Sequence, residues 1–394
     1  MRRVFRFRLY PTVEQESRMQ DMIETCRRLW NDALWHRENR RQRGEKTTLG
    51  MQSAILTYER RNDPKLKGMY SQIGQDVLHR LDKAYKSFFS GVMKRPRFKK
   101  FGSEGSFTFP QAYNGSVLLG CGLLRLASVG QVEVVQHRLV PQDGQLKICT
   151  VRREACGEWY AVLVYETNEL EPVEKISENP VGIDLGLKAI VSCSDGSAAK
   201  PPHFFRKAEK RLARLQQLFS RKMKGSSNRE KARHLLAVQH AKVRRQRENF
   251  NHILSARIVR QHDLTVMEDL QIKNMIQNHH LAKAIQDAGW AQLVQFIGYK
   301  EARAGGKLVL VDPAFTTQTC FFCKFKNKVD LSQRVFSCGG CGRLLHRDYN
   351  AAFVIMEKGL GQVGQGMPEL TPVEIAMVVV EAGTSSNDWG NPPL

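Results

Sequence analysis

Residues 181–196 read VGIDLGLKAIVSCSDG. An apolar run ends on Asp184, between Gly182 and Gly186, and a second apolar run returns after a short break, the pattern of a β-hairpin. A carboxylate in an apolar strand costs several kcal/mol unless it is paired or bound to a cation. The feature recurs downstream, where LTVMEDL (264–270) is a strand ending on Glu268 and KLVLVDP (307–313) is a further strand. A long basic helical stretch over 204–262 and a helix over 281–303 fill the intervals, so the chain from 181 onward alternates β and α. Strand alternation puts Asp269 on the face opposite Glu268, so only one of the two reaches a common site.

A third acid, Asp348, opens the Ala-rich helix RDYNAAFVIMEKGL. Just upstream, Cys320-x-x-Cys323 and Cys338-x-x-Cys341 are separated by fourteen residues, which is zinc-ribbon spacing. Four thiolates complete a tetrahedral structural Zn²⁺ site, leaving His346 to face solvent or nucleic acid. The ribbon fixes the entry to the last helix, and with it the position of Asp348. Taken singly, Asp184 suits a turn, Glu268 an ion pair with an arginine of 206–260, and Asp348 a helix cap. Together, the three suit hard divalent ions, which prefer oxygen ligands. Two Mg²⁺ roughly 3.5–4 Å apart can activate water and stabilise a leaving oxygen in phosphodiester cleavage, with Asp184 bridging them and Glu268 and Asp348 flanking.

The first half of the chain is different. VFRFRLY (4–10) alternates strictly and reads as one strand. Pro11 stops it, and Thr12 with Gln15 offers a capping box for a helix whose apolar face is Met19, Met22, Ile23, Cys26, Leu29, Trp30, Ala33 and Leu34. A second helix fits 71–92. From about 106 to 167 short β segments follow: SFTF, GLLRL, VEVV, LKICTVRR and EWYAVLVYE. The strand at 4–10 has no local partner, and an unpaired strand is a liability, so it belongs with this later β region.

The chain has 394 residues, with 61 Lys+Arg against 39 Asp+Glu and a net charge of +22. That excess points to a polyanionic partner, nucleic acid before a membrane surface. No window has the ~18 apolar residues of a membrane span, and the basic, alternating N-terminus is unlike a signal peptide. Cys26, Cys121, Cys149, Cys156 and Cys193 lie in apolar or strand-like surroundings and read as core residues of a cytoplasmic protein, nucleoid-associated when bound to DNA.

VGIDLGLKAIVSCSDG, TVMEDLQIKNM, the 282–302 helix, TTQTCFFC and FSCGGCGRLLHRDYNAA closely resemble the TnpB family of transposon-encoded, RNA-guided DNA nucleases, related to the miniature type V CRISPR effectors. FRLYPTVEQ, LDKAYKSFF and RPRFKK extend the resemblance to about 4–360. It implies a multidomain α+β protein. A β-barrel wedge domain would occupy 1–10 and 106–170, a helical recognition module 11–105, and a linker 171–180. An RNase H-like RuvC nuclease domain would span 181–314 and 343–360, with a zinc ribbon inserted at 315–342 and a flexible tail at 361–394. The resemblance also carries the RuvC acids onto Asp184, Glu268 and Asp348. Two departures from the family pattern stand out: Lys324 follows Cys323 where glycine is usual, and His346 replaces an acid.

The basic stretch 204–262 has few acids to lace it, so its cations, Lys222, Lys224, Arg244 and Arg245 among them, are expected on phosphates. Arg95, Arg97, Phe98, Lys99, Lys100 and Phe101 interleave charge with aromatics, as base-stacking surfaces do. By resemblance, Ser71, Gln72, Gln75, Thr108 and Phe109 lie near a short target-adjacent motif. The expected activity is guide-RNA-directed, Mg²⁺-dependent cleavage of double-stranded DNA by a monomer. A nuclease-dead guided repressor and a guide-independent resolvase or transposase are the alternatives.

Overall fold

The computed structural model describes residues 2–102, 104–115, 117–167, 178–330, 333–369 and 378. The chain divides into two compact units, 1–170 and 171–394.

In the first unit, β1 (Arg2–Tyr10) is followed by helices α1 (Val13–Gln42), α2 (Leu49–Asn62), α3 (Pro64–Gly68) and α4 (Ser71–Phe89). Strands β2 (Gly105–Phe109), β3 (Val117–Gly120), β4 (Leu123–Leu126), β5 (Gly130–Val135), β6 (Gln145–Arg153) and β7 (Trp159–Glu166) complete it. The sheet order is β2-β6-β7-β1-β5-β4-β3, so the first strand lies in the middle, antiparallel to both β7 and β5. Strands β2 and β3 have no mutual pairing among the described residues, so the expected barrel is an open-ended sheet. A 3₁₀ turn at Ala112–Asn114 packs against both β6 and β3 instead. Thr12 and Gln15 form the expected capping box, and the whole apolar face read for α1 is buried.

The unanticipated helix α2 buries only Gln52 and Leu56. Gln52 accepts from Arg37 Nε (2.6 Å) and donates to the Ala33 carbonyl (2.8 Å), while Arg37 also reaches Asp82 (2.9 Å). Polar bonds therefore do the work an apolar stripe would have advertised.

The second unit contains β8 (Pro180–Asp184), β9 (Val191–Cys193), β10 (Ala198–Ala199), α5 (Phe204–Arg221) and α6 (Ser227–Gln261). Next come β11 (Leu264–Glu268), α7 (Ile272–Met275), α8 (His279–Ala288), α9 (Trp290–Ala304) and β12 (Lys307–Val311). A small hairpin, β13 (Val335–Ser337) and β14 (Leu344–His346), leads into α10 (Arg347–Gln362). The sheet order is β10-β9-β8-β11-β12, with β11 parallel to β8 and β12. The single helix expected over 281–303 is two, broken at Gly289, which takes a left-handed φ of +67° and ends α8.

Helices cover both faces of this sheet. A Cβ on Gly182 would lie 2.0 Å from the Ala352 carbonyl, and one on Gly359 would lie 2.3 Å from Val266, so Gly182 and Val266 face α10 directly. Ile183 and Met267 face the other way, into a core with Leu254, Ile258 and Ile297 of α6 and α9.

Most of the tail and of the linker lies outside the described residues. Within the tail, Val378 is fully buried in the cluster around α10. Of the scattered cysteines, Cys26, Cys149, Cys156 and Cys193 are buried as expected. Cys121 is exposed instead, at a positive φ of 50° in the β3–β4 turn.

Candidate active site and metal centre

Because side chains alternate, Asp184 shares the face of Gly182, and Glu268 shares that of Val266. Both acids therefore sit on the α10 side of the sheet. Ile183 pairs with Met267, so Asp184 and Glu268 are next in line on adjoining parallel strands, about 4.8 Å apart at the backbone. Asp348, in the first turn of α10, faces the same region. All three acids are buried. Burial pushes the Asp184 carboxyl up to about 8, and the charges of Glu268 and Asp348 add to the effect. Burial also raises Glu268, opposed by a hydrogen bond from Thr316 Oγ1 (2.5 Å). Asp269 lies just past the end of β11 and is exposed, so of the two neighbouring acids only Glu268 is buried with Asp184 and Asp348.

Asp348 is held differently. Arg334 Nη1 donates to Oδ2 (2.5 Å), and Arg347 donates through Nε (3.1 Å) and Nη2 (3.0 Å) to Oδ1. The three carboxylates do not close to within 4.8 Å of one another as a set, whereas the four ribbon thiols do. The donors are all hard oxygens, the ligand chemistry Mg²⁺ prefers, so the residues fit that ion. Sequence reasoning missed Arg334 and Thr316. Neither belongs to a spaced motif, and each reaches its acid only through the fold.

At the ribbon, Cys320 Sγ lies 3.9 Å from Cys341 Sγ, and Cys323 Sγ lies 3.5 Å from Cys338 Sγ. A tetrahedron with Zn–S bonds of ≈ 2.3 Å has edges of about 3.8 Å, so the cage fits Zn²⁺. Burial pushes Cys320 up to about 12. At Cys338 burial also raises the thiol, but the amides of Cys341 and Gly340 outweigh it and hold the group at about 6. Asn327 supports the cage: its amide nitrogen lies 3.6 Å from Cys338 Sγ, and its oxygen accepts from Gly339 N (2.8 Å). Lys324 sits at a left-handed φ of +62°, a conformation that favours glycine, and its ammonium pairs with Glu357 of α10. His346 is half-buried against the Tyr349 ring, 4.8 Å between centroids, with its pKa lowered by burial, so it does not project freely into solvent.

The expected nucleic-acid contacts divide sharply. Phe109 is completely buried against Phe107 and Tyr70, and Thr108 is buried with its hydroxyl 3.0 Å from that of Thr150, so neither faces a DNA edge. Both lie at the end of β2, where the sheet packs into the core. Gln72 bonds Gln111, while Ser71 and Gln75 are exposed at the start of α4. Arg95 pairs with Glu38, and Lys99 lies 3.9 Å over the Trp30 ring, so both charges hold the 95–101 segment to α1. Arg97, Lys100, Phe98 and Phe101 are exposed. Lys222 and Lys224 are exposed in the α5–α6 turn, whereas Arg244 and Arg245 are half-buried, with Arg244 beside Glu248 (3.8 Å).

Among the described residues no helix is long and apolar enough to cross a membrane.

Residues 162–279 match a family described as "Probable transposase", 290–355 a "Cas12f1-like, TNB domain", and 1–46 a "Helix-turn-helix domain". The last description does not fit the structure, since 1–46 holds one strand and one 30-residue helix. A "Putative RNA-guided DNA endonuclease" of Streptomyces pristinaespiralis is 33% identical over 371 residues, covering 91% of this chain and 90% of the relative. The "Putative RNA-guided DNA endonuclease InsQ" of Escherichia coli K12 is 31% identical over 380 residues, covering 90% and 92%. Among solved structures, a Cas12f1–sgRNA–target DNA complex aligns with a TM-score of 0.54 at 13% identity, over 90% of this chain and 98% of that one. The fold is therefore Cas12f1-like.

Proposed function

This chain belongs to the TnpB family of RNA-guided DNA endonucleases, and we propose that it is itself a guide-RNA-directed, divalent-metal-dependent DNA endonuclease, transposon-associated, cutting at Asp184, Glu268 and Asp348. The observation that carries the reading is the gathering of three buried acids, 164 residues apart at the extremes (184 to 348), on one face of one sheet. Divalent ions held by these oxygens supply an activated water and neutralise charge on the phosphate.

The chain's own residues do the rest. Thr316 fixes the rotamer of Glu268, and the two guanidiniums fix that of Asp348. Arg334 and Arg347 also put positive charge beside the acids, where a phosphodiester brought to them would carry its negative charge. The ribbon cysteines hold Zn²⁺ as a structural ion, since four thiolates leave no open position. Sequence would be read by pairing with the guide, and Ser71 and Gln75, exposed on the helical module, are the side chains best placed to read a short target-adjacent motif.

The test is to express the chain with its native flanking DNA, sequence the RNA that copurifies, and challenge a matching plasmid. The wild type should cut in Mg²⁺ and lose cutting after RNase treatment, and Asp184→Ala should retain the RNA without cutting. Cutting that survives RNase and reconstitution without RNA would favour a guide-independent transposase instead.

A further inference from the structure

On the face of the sheet away from the acids, α6 and α9 carry a built aromatic surface. The exposed ring of His252 stacks on Phe296, with centroids 4.0 Å apart and planes 17° from parallel. Tyr299, 47% exposed, stands edge-on to Phe296 (5.9 Å, 75°), and its hydroxyl lies 3.4 Å from His252 Nδ1. Beneath them Lys300 Nζ donates to the His252 carbonyl (2.6 Å) and to Ser255 Oγ (2.7 Å), tying the two helices together under the rings. Burial and the nearby Arg260 lower Lys300 to about 8, as suits a lysine engaged internally. Arg260 and Arg303 are exposed, two turns from His252 on α6 and one turn from Tyr299 on α9 respectively. The neighbouring acid on α6, Glu248, lies beside Arg244 (3.8 Å).

Two exposed rings stacked around the half-buried Phe296, with two cations beyond one end of the stack, match the recognition of unpaired bases: rings take a base face, and guanidiniums take the adjoining phosphates. The strands decide which nucleic acid this is. Asp184 and Glu268 point towards α10, whereas Ile183 and Met267 point towards α6 and α9, so the sheet separates the rings from the cutting centre. A DNA strand presented for cleavage occupies the other face. We propose that His252, Phe296 and Tyr299, with Arg260 and Arg303 beyond them at the C-terminal ends of α6 and α9, form a stacking platform for an unpaired segment of the guide RNA. The assignment of RNA rests on the guided-nuclease reading above.

The test uses the full-length protein and a 12-nucleotide oligouridine with one 4-thiouridine, against its oligothymidine counterpart with 4-thiothymidine. Adducts are mapped by mass spectrometry, and affinity is read by fluorescence anisotropy. RNA adducts are expected on peptides containing His252 or Tyr299. The His252→Ala/Tyr299→Ala pair should lose them and weaken RNA binding about tenfold with an unchanged salt slope. Arg260→Gln/Arg303→Gln should lower the salt slope by about 1.4, two contacts at ~0.7 each on a single strand. Tyr299→Phe, which keeps the ring, should retain the adducts, separating stacking from misfolding. Adducts confined to other surfaces, or unaltered affinity in the double alanine variant, would overturn the platform. Equal capture of the DNA probe would overturn its assignment to RNA. Plasmid cleavage is scored separately, so a failed platform with intact cleavage removes this inference alone. Failed cleavage with intact adducts removes the guided-nuclease reading instead.

Discussion

Gly182→Ala tests whether the acids are positioned by helix-to-strand contact. The added Cβ would lie 2.0 Å from the Ala352 carbonyl oxygen and 2.7 Å from Met356 N and Cβ. Two of these three neighbours are backbone, so no side chain can swing aside. Restoring ordinary contact at 3.4 Å requires α10 to retreat from β8 by about 1.4 Å. Overpacking of this kind costs typically 1–3 kcal/mol. Ala352 lies one turn beyond Asp348 on the same helix, so the retreat carries Asp348 away from Asp184. Misplacing a catalytic group by ~1 Å can cost about 10²-fold in rate. The assay is plasmid cleavage by guide-loaded protein, with retained RNA and melting temperature measured on the same sample. Cleavage should fall at least about 100-fold while the guide is kept and melting drops by a few degrees. Gly361→Ala is the control on the same helix: its Cβ meets nothing within 4 Å. It should stabilise by roughly 0.5–1 kcal/mol and leave cleavage unchanged. A Gly182→Ala protein that cuts and melts like the wild type would refute the account of how Asp348 is held.

Three further outcomes are expected. The purified chain should bind one zinc, released by thiol-directed mercurial, and Cys338→Ser should lose the metal and cleavage together, because the site contributes roughly 10–16 kcal/mol of apparent folding free energy; full zinc occupancy in that variant would count against the four-thiolate cage. Glu301 is fully buried, and burial raises its carboxyl to about 7, so the folded protein holds a proton there that the unfolded chain releases above the ordinary carboxylate range. Stability should therefore be greatest below about 4.5 for this group and decline as pH rises to about 7, by up to about 3 kcal/mol, and Glu301→Gln should flatten that decline in urea unfolding at pH 5 and pH 8. Arg37→Ala leaves the half-buried Asp82 with Lys86 alone and takes the Arg37 donor from buried Gln52, and should cost about 1–3 kcal/mol in the helical module, seen as early loss of helix in thermal melts; a loss under about 0.5 kcal/mol would show the network to be incidental.

Legibility from the sequence followed whether an element was driven by apolar pattern or by polar contact. The α1 face, the strand at 4–10 and the two acid-ended strands were readable because burial imposes a period on their residues. The helix α2 was not, since Gln52 and Arg37 secure it through hydrogen bonds. The place of Phe109 near a target-adjacent motif came from the resemblance alone, and its ring packs against Phe107 and Tyr70 in the core. The internal partners of Arg95 and Lys99, Glu38 and Trp30, lie about sixty residues away in sequence, so the basic run alone does not show them. The cysteine cage was legible because its spacing is itself the geometry.

The tight splice of the ribbon onto α10 has a mechanical reason. Asn350 accepts from Phe321 N (2.9 Å) and donates to the Thr319 carbonyl (2.7 Å), Phe353 packs on Phe321 at 5.1 Å, and Glu357 pairs with Lys324. Positions 350, 353 and 357 form one helical stripe, so the first knuckle grips a full face of α10. At the helix start Arg347 N donates to the Arg334 carbonyl (2.7 Å), while the side chain of that same Arg334 holds Asp348. The ribbon thus fixes the rotation of α10 about its axis from two ends, and Gly182 sets its distance from the sheet. Rotation and distance together determine where the Asp348 carboxylate falls. Removing a metal bound at the ribbon should therefore reach the proposed catalytic acids through α10 without any ribbon cysteine touching one of them.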